Sequence, residues 1–85
     1  PHQAVDPIAA AAQFISGVYQ VAPRSVDARD AVVVTFGSIR GGDVSNVIPD
    51  RVEIAGTIRA LSATSKERPL AAIRAVAEGV SAATG

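Results

Sequence analysis

The sequence contains no cysteine, no methionine and no tryptophan, and its one histidine is His2. The absence of cysteine excludes a disulfide scaffold and any thiolate metal site. A lone histidine without thiol companions leaves no donor set for a metal, so no cofactor is expected within these residues. Aromatic side chains are scarce, limited to Phe14, Tyr19 and Phe36. Any core must therefore be built from alanine and branched aliphatics. An excess of charge of either sign is also lacking, since eight basic residues face eight acidic ones. Nucleic-acid modules usually carry a basic surplus that neutralises phosphates, so no nucleic-acid partner is expected. No apolar run approaches the ~20 residues that span a bilayer, and no signal-peptide pattern is visible. The expectation is therefore no membrane partner and a cytoplasmic setting. A chain that opens Pro1-His2 without methionine reads as a piece of a longer protein.

At 85 residues the sequence allows one domain at most, expected over 1–85. A domain this small buries roughly 60–65% of its unfolded surface, a thin basis for stability. Asp6-Pro7 has the form of a helix start. Aspartate caps free N–H groups, and proline fits the first position because it lacks one. Ile8, Ala11, Ala12, Ile15, Val18 and Tyr19 then recur at helical spacing, and Pro23 ends the run, which predicts a helix over 7–21. Residues 24–30 are a polar connection.

From Ala31 to Ser38 the chain is β-branched and apolar on both faces, which predicts a strand with little solvent exposure. Gly41-Gly42-Asp43 opens a loop that closes at Pro49-Asp50. Arg51 to Ala60 alternates: Val52, Ile54, Gly56 and Ile58 point one way, and Arg51, Glu53, Thr57 and Arg59 the other. A glycine inside a strand marks a bulge or close packing. Thr64 and Glu67 have capping-box spacing ahead of a second helix, whose stripe is Leu70, Ile73, Val76, Ala77 and Val80. Pro69 must lie in its first turns.

The order helix, strand, strand, helix gives an α+β chain. Two strands make a marginal sheet and a narrow platform for two amphipathic helices. Further strands on either side would complete the ferredoxin-like β-α-β-β-α-β pattern, an antiparallel sheet with both helices on one face. An edge strand left open would pair with another chain.

Three segments, taken in order, resemble one family: Pro1-His2 with Asp6-Pro7-Ile8, then Gly41-Gly42 with Asn46-Val47-Ile48-Pro49-Asp50, then Gly56-Thr57-Ile58-Arg59. They are similar to the dimerisation, or lid, domain of the dinuclear zinc amidohydrolases and peptidases that include hippurate hydrolase, indole-acetyl-amino-acid hydrolase, aminoacylase and glutamate carboxypeptidase. The resemblance covers nearly the whole chain. It implies a ferredoxin-like insert in a larger catalytic domain that holds two zinc ions, and it implies homodimerisation. The open strand edge adds the expectation that the homodimer forms through an edge strand and the first helix. The implied chemistry is hydrolysis of an N-acyl amino acid or peptide by metal-activated water.

The family's oxyanion histidine lies upstream of the matching Pro-His pair, so the role does not pass to His2, and no catalytic residue is assigned. The resemblance does imply that Asn46 and Arg59, 13 positions apart as in related enzymes, hold the substrate carboxylate. An amide donor and a guanidinium fork are suited to that task. Read from the residues alone, Asn46 is also a residue that can hold its own turn, and Arg59 one that can pair with an acid across the ladder. A stand-alone ferredoxin-like regulatory or interaction module is the alternative reading of the same pattern.

Overall fold

The computed structural model describes residues 6–25 and 31–84. Pro1-His2, most of the polar connection and Gly85 lie outside the described residues. The first helix, α1, runs Pro7–Val21, with the boundaries its end signals predict. Asp6 Oδ1 accepts the N–H groups of Ile8 at 3.0 Å and Ala9 at 3.3 Å. Such a cap replaces water at donors that the helix cannot satisfy itself. At the other end α1 passes into a 3₁₀ turn, Ala22–Ser25, that contains Pro23.

Strand β1 (Val33–Arg40) and strand β2 (Glu53–Arg59) pair antiparallel. β1 lies two residues later than the 31–38 expected, and β2 is shorter than 51–60. The pairing runs from Val33↔Arg59 to Arg40↔Glu53, with a bulge between Phe36 and Ser38. Gly37 is the extra residue. It absorbs one position and lets the ladder continue to Arg40. Gly56 sits opposite Phe36, where a Cβ would stand 2.5 Å from the Thr35 carbonyl oxygen and 2.9 Å from Phe36 Cδ1. The glycine in the strand therefore serves close packing, and the bulge itself is on the facing strand. The expectation that β1 is shielded on both faces is overturned. Val33 is 56% exposed because the helices cover a single face of the hairpin, and Ile39, on the covered face, is 52% exposed because it lies at the open β1 edge.

The chain leaves β1 through Gly42, whose φ of +85° is a conformation that glycine adopts without steric cost. The second helix, α2, runs Glu67–Thr84. The expected Thr64–Glu67 capping box is not the device used. Thr64–Lys66 is a 3₁₀ turn whose cap position, Ala63, offers no side-chain acceptor, and the Ser65 N–H donates to Ser62 Oγ at 3.2 Å. Pro69 is the third residue of α2 and is fully buried. In the first turn a proline sacrifices no helical hydrogen bond.

Ala11, Val18 and Ala22 are the buried apolar residues of α1 and the turn after it. A Cβ on Gly17 would meet Val76 Cγ1 at 2.8 Å, so the two helices pack through that glycine. Phe36 joins α1 to the hairpin through edge-to-face contacts with Phe14 (centroids 5.7 Å) and Tyr19 (5.5 Å). Phe14 falls outside the stripe read from spacing. The helix buries a wider arc, with Phe14 over the sheet and Val18 in the core.

The layer is open. The radius of gyration is 14.7 Å, against about 12 Å for a compact domain of this length. The accessible surface is 6222 Å², against about 4,700 Å² for a folded monomer of this mass. Among the described residues no helix is long and apolar enough to cross a membrane.

Candidate functional site

The hairpin sets the position of both candidate substrate residues. Asn46 lies in the loop between the strands, at the third position of a turn closed by the Val47 N–H on the Val44 carbonyl at 3.2 Å. It is exposed. Val44, Val47 and Ile48 around it are 58%, 61% and 53% exposed, so the loop tip is an aliphatic surface. A hollow of about 290 Å³ between Gly42 and Asp50 lies beneath it.

Arg59 is the last residue of β2, exposed and opposite Val33. The cross-strand acid that a structural role would require is therefore absent. Among the described residues the guanidinium has no ion pair. The ion pair of this strand is Arg51–Glu53 at 2.7 Å, in the open at the other end. Arg59 is thus a cation held on a strand terminus with no partner among the described residues. The structure does not bring Asn46 and Arg59 together. Six steps of extended chain separate Glu53 from Arg59, about 20 Å, and Asn46 lies beyond Glu53. The spacing of 13 was legible in the sequence. That it puts the two residues at opposite ends of one hairpin follows only once the strand is known to run straight through Gly56.

A second candidate surface is the free side of β1. Here the Phe36 N–H donates to the Tyr19 hydroxyl at 2.9 Å. A groove of about 620 Å³ runs beside it between α1 and β1, lined by Ile15, Tyr19, Phe36, Ile39 and Arg40 among others. The apolar residues of this groove were visible as separate features of a helix and a strand. Their meeting, 17 residues apart in Tyr19 and Phe36, was not. On the other side of the hairpin an apolar cleft of about 300 Å³ is lined by Pro7, Ala10, Ala11, Phe14, Val52, Ile54, Ala77 and Val80. It opens where the helices overhang β2. Among the described residues no group of three or more histidine, cysteine, aspartate or glutamate side chains could hold a metal ion.

Comparison with known proteins shows the family. The family described as peptidase dimerisation domain matches residues 1–84. The chain belongs to that family. This dimerisation domain is 46% identical over 83 residues to an N-acetyldiaminopimelate deacetylase of Leuconostoc citreum, covering 98% of the chain and 21% of the relative. It is 42% identical over 80 residues to the enzyme of that name from Priestia megaterium, covering 94% and 21%. It is 38% identical over 85 residues to an N-acetylcysteine deacetylase of Bacillus subtilis, covering 100% and 22%. The dimerisation domain thus spans about a fifth of the length of these relatives. No solved structure matches it.

Proposed function

We propose that this chain is the dimerisation and lid domain of a cytoplasmic, metal-dependent amidohydrolase that removes the acyl group from an N-acylated amino acid or peptide. The observation that carries the proposal is the match of the whole chain to a peptidase dimerisation domain, together with relatives that are deacetylases of N-acetyl amino acids. The chain forms one domain, and the catalytic machinery belongs to the remainder of the enzyme. Among the described residues no group of histidine, cysteine, aspartate or glutamate side chains fits a metal centre. In this reading the zinc ions that the resemblance implies are held by the remainder of the enzyme, and no step of the chemistry is assigned to this domain.

Two features support the dimerisation role. The 6222 Å² of accessible surface exceeds the value for a compact monomer of this mass by about 1,500 Å², close to twice the ~800 Å² that one partner gives up in a standard interface, which leaves surface for the rest of the enzyme and for a second copy. The two open edges also differ. Beside β2 lies the apolar cleft under the helix overhang, a place for further strands of the same enzyme. Beside β1 lies the groove against α1, a place for a second copy. Dimerisation therefore uses the β1 edge and α1. Only monomer in sedimentation velocity at high concentration would defeat this assignment.

Substrate binding follows from the hairpin. Arg59 takes the substrate carboxylate bidentately, and Asn46 adds an amide donor. Because they sit at opposite ends of the hairpin, the two reach one carboxylate only from two copies. Each subunit then supplies one of them to each site. In the complete enzyme, Asn46→Ala and Arg59→Ala should each raise KM for N-acetyl amino acids. Randomly mixed and reassembled subunits of the two variants should recover roughly a quarter of wild-type activity, since half the dimers are mixed and each holds one intact site. Absence of recovery would place both residues in one copy's site or in neither.

A further inference from the structure

The proposed dimer leaves open where along β1 the second copy pairs, and Tyr19 answers that. Hydrogen-bonding groups alternate sides along a strand. Phe36 directs its N–H at Tyr19, a residue of α1, so it faces away from β2. Phe36 pairs with Gly56, and Ile39 pairs with Ile54, two residues along β2. Ile39 therefore shares the outward orientation of Phe36, the bulge at Gly37 having restored the phase. The free edge thus offers the outward amides of Val34 and Phe36 before the bulge and that of Ile39 after it. The Phe36 amide is already taken by the phenol. The groove of about 620 Å³ lies over Phe36–Arg40, on the side where Ile39 is still available.

Resting on the reading of β1 as the dimer edge, we infer that the Tyr19 hydroxyl is a register stop. It confines antiparallel β1–β1 pairing to the segment after the bulge. The two-fold axis passes through Ile39, which pairs with its own copy, while Ser38 pairs with Arg40. The Ile39 side chains, 52% exposed in one copy, fill the groove between the two Ile15 residues. A dimer centred before the bulge must break the Tyr19–Phe36 bond, which disfavours it by about tenfold.

The chain has no cysteine, so single-cysteine variants report cleanly. Residues facing each other in a hydrogen-bonded antiparallel pair have Cα atoms about 5.5 Å apart, within disulfide reach. Under mild oxidation Ile39→Cys should form covalent dimer about tenfold more readily than Val34→Cys. In a Tyr19→Phe background the freed Phe36 amide admits the earlier register, and the Val34→Cys yield should rise toward that of Ile39→Cys. Equal yields with Tyr19 present, or a ratio unchanged by Tyr19→Phe, would overturn the register stop and leave the β1 dimer standing. A monomeric parent chain, or a dimer that cross-links at neither position, would overturn the edge reading and the stop with it.

Discussion

Gly37 is the extra residue of the bulge and Gly56 lies opposite its neighbour Phe36, and the same substitution should have different consequences at each. A Cβ at Gly56 would lie 2.5 Å from the Thr35 carbonyl oxygen and 2.9 Å from Phe36 Cδ1. The first contact is with backbone, so no rotamer change relieves it. Either the ladder opens at Thr35, or Phe36 withdraws from Phe14 and Tyr19. Overpacking of this kind costs about 1–3 kcal/mol. Replacing glycine in a strand gains roughly 0.5–1 kcal/mol of backbone entropy. The clash wins, and Gly56→Ala should destabilise by about 1–2 kcal/mol, a fall in Tm of roughly 5–15 °C for a chain of this size. At Gly37 a Cβ meets nothing within 4 Å and the backbone does not require glycine, so Gly37→Ala should be neutral or slightly stabilising. Urea unfolding followed by far-UV circular dichroism, with equal m-values as a check that one transition is compared, measures both. A Gly56→Ala midpoint at or above wild type would refute the packing argument. So would equal losses at the two positions.

The helices carry a parallel contrast. Gly79 in α2 has open space at its Cβ position, and Gly79→Ala should stabilise by about 1 kcal/mol through helix propensity, read as a higher urea midpoint. Gly17→Ala would drive a methyl to 2.8 Å from Val76 Cγ1. It should destabilise alone and become favourable when Val76→Ala removes the obstacle, so a double-mutant cycle should show coupling of roughly 0.5–3 kcal/mol. Asp6→Ala removes the acceptor of two amides at the start of α1. It should cost about 1 kcal/mol, and hydrogen exchange at Ile8 and Ala9 should speed up while α2 is unaffected.

The sequence was most informative where a local rule acts alone. The ends of α1 were readable because Asp6, Pro7 and Pro23 each act on their own backbone. The first strand followed from its run of β-branched residues, and the second strand with its polar face followed from alternation. Legibility failed where distant parts of the chain decide. Val32–Phe36 is apolar in both phases, so spacing could not reveal the bulge or that one face would stay uncovered. Ahead of α2, Ser62 and Thr64 are equivalent as hydroxyls, and in the 3₁₀ turn it is Ser62 that accepts a backbone N–H, from Ser65. The Asn46–Arg59 spacing was plain, but the extended geometry of β2 turns a sequence interval into a separation. The Tyr19–Phe36 contact has no sequence signal beyond the rarity of aromatic residues.

That rarity has a practical side. The only tyrosine in the chain is the one whose phenol accepts the Phe36 amide, and no tryptophan masks it. Its ring is held nearly perpendicular to that of Phe36, at 84°. The tyrosine bands of the near-ultraviolet dichroism and the tyrosine fluorescence of the unlabelled molecule therefore originate at the strand edge where a second subunit would arrive. A titration of concentration alone would show spectroscopically when that edge is covered, without any probe being attached.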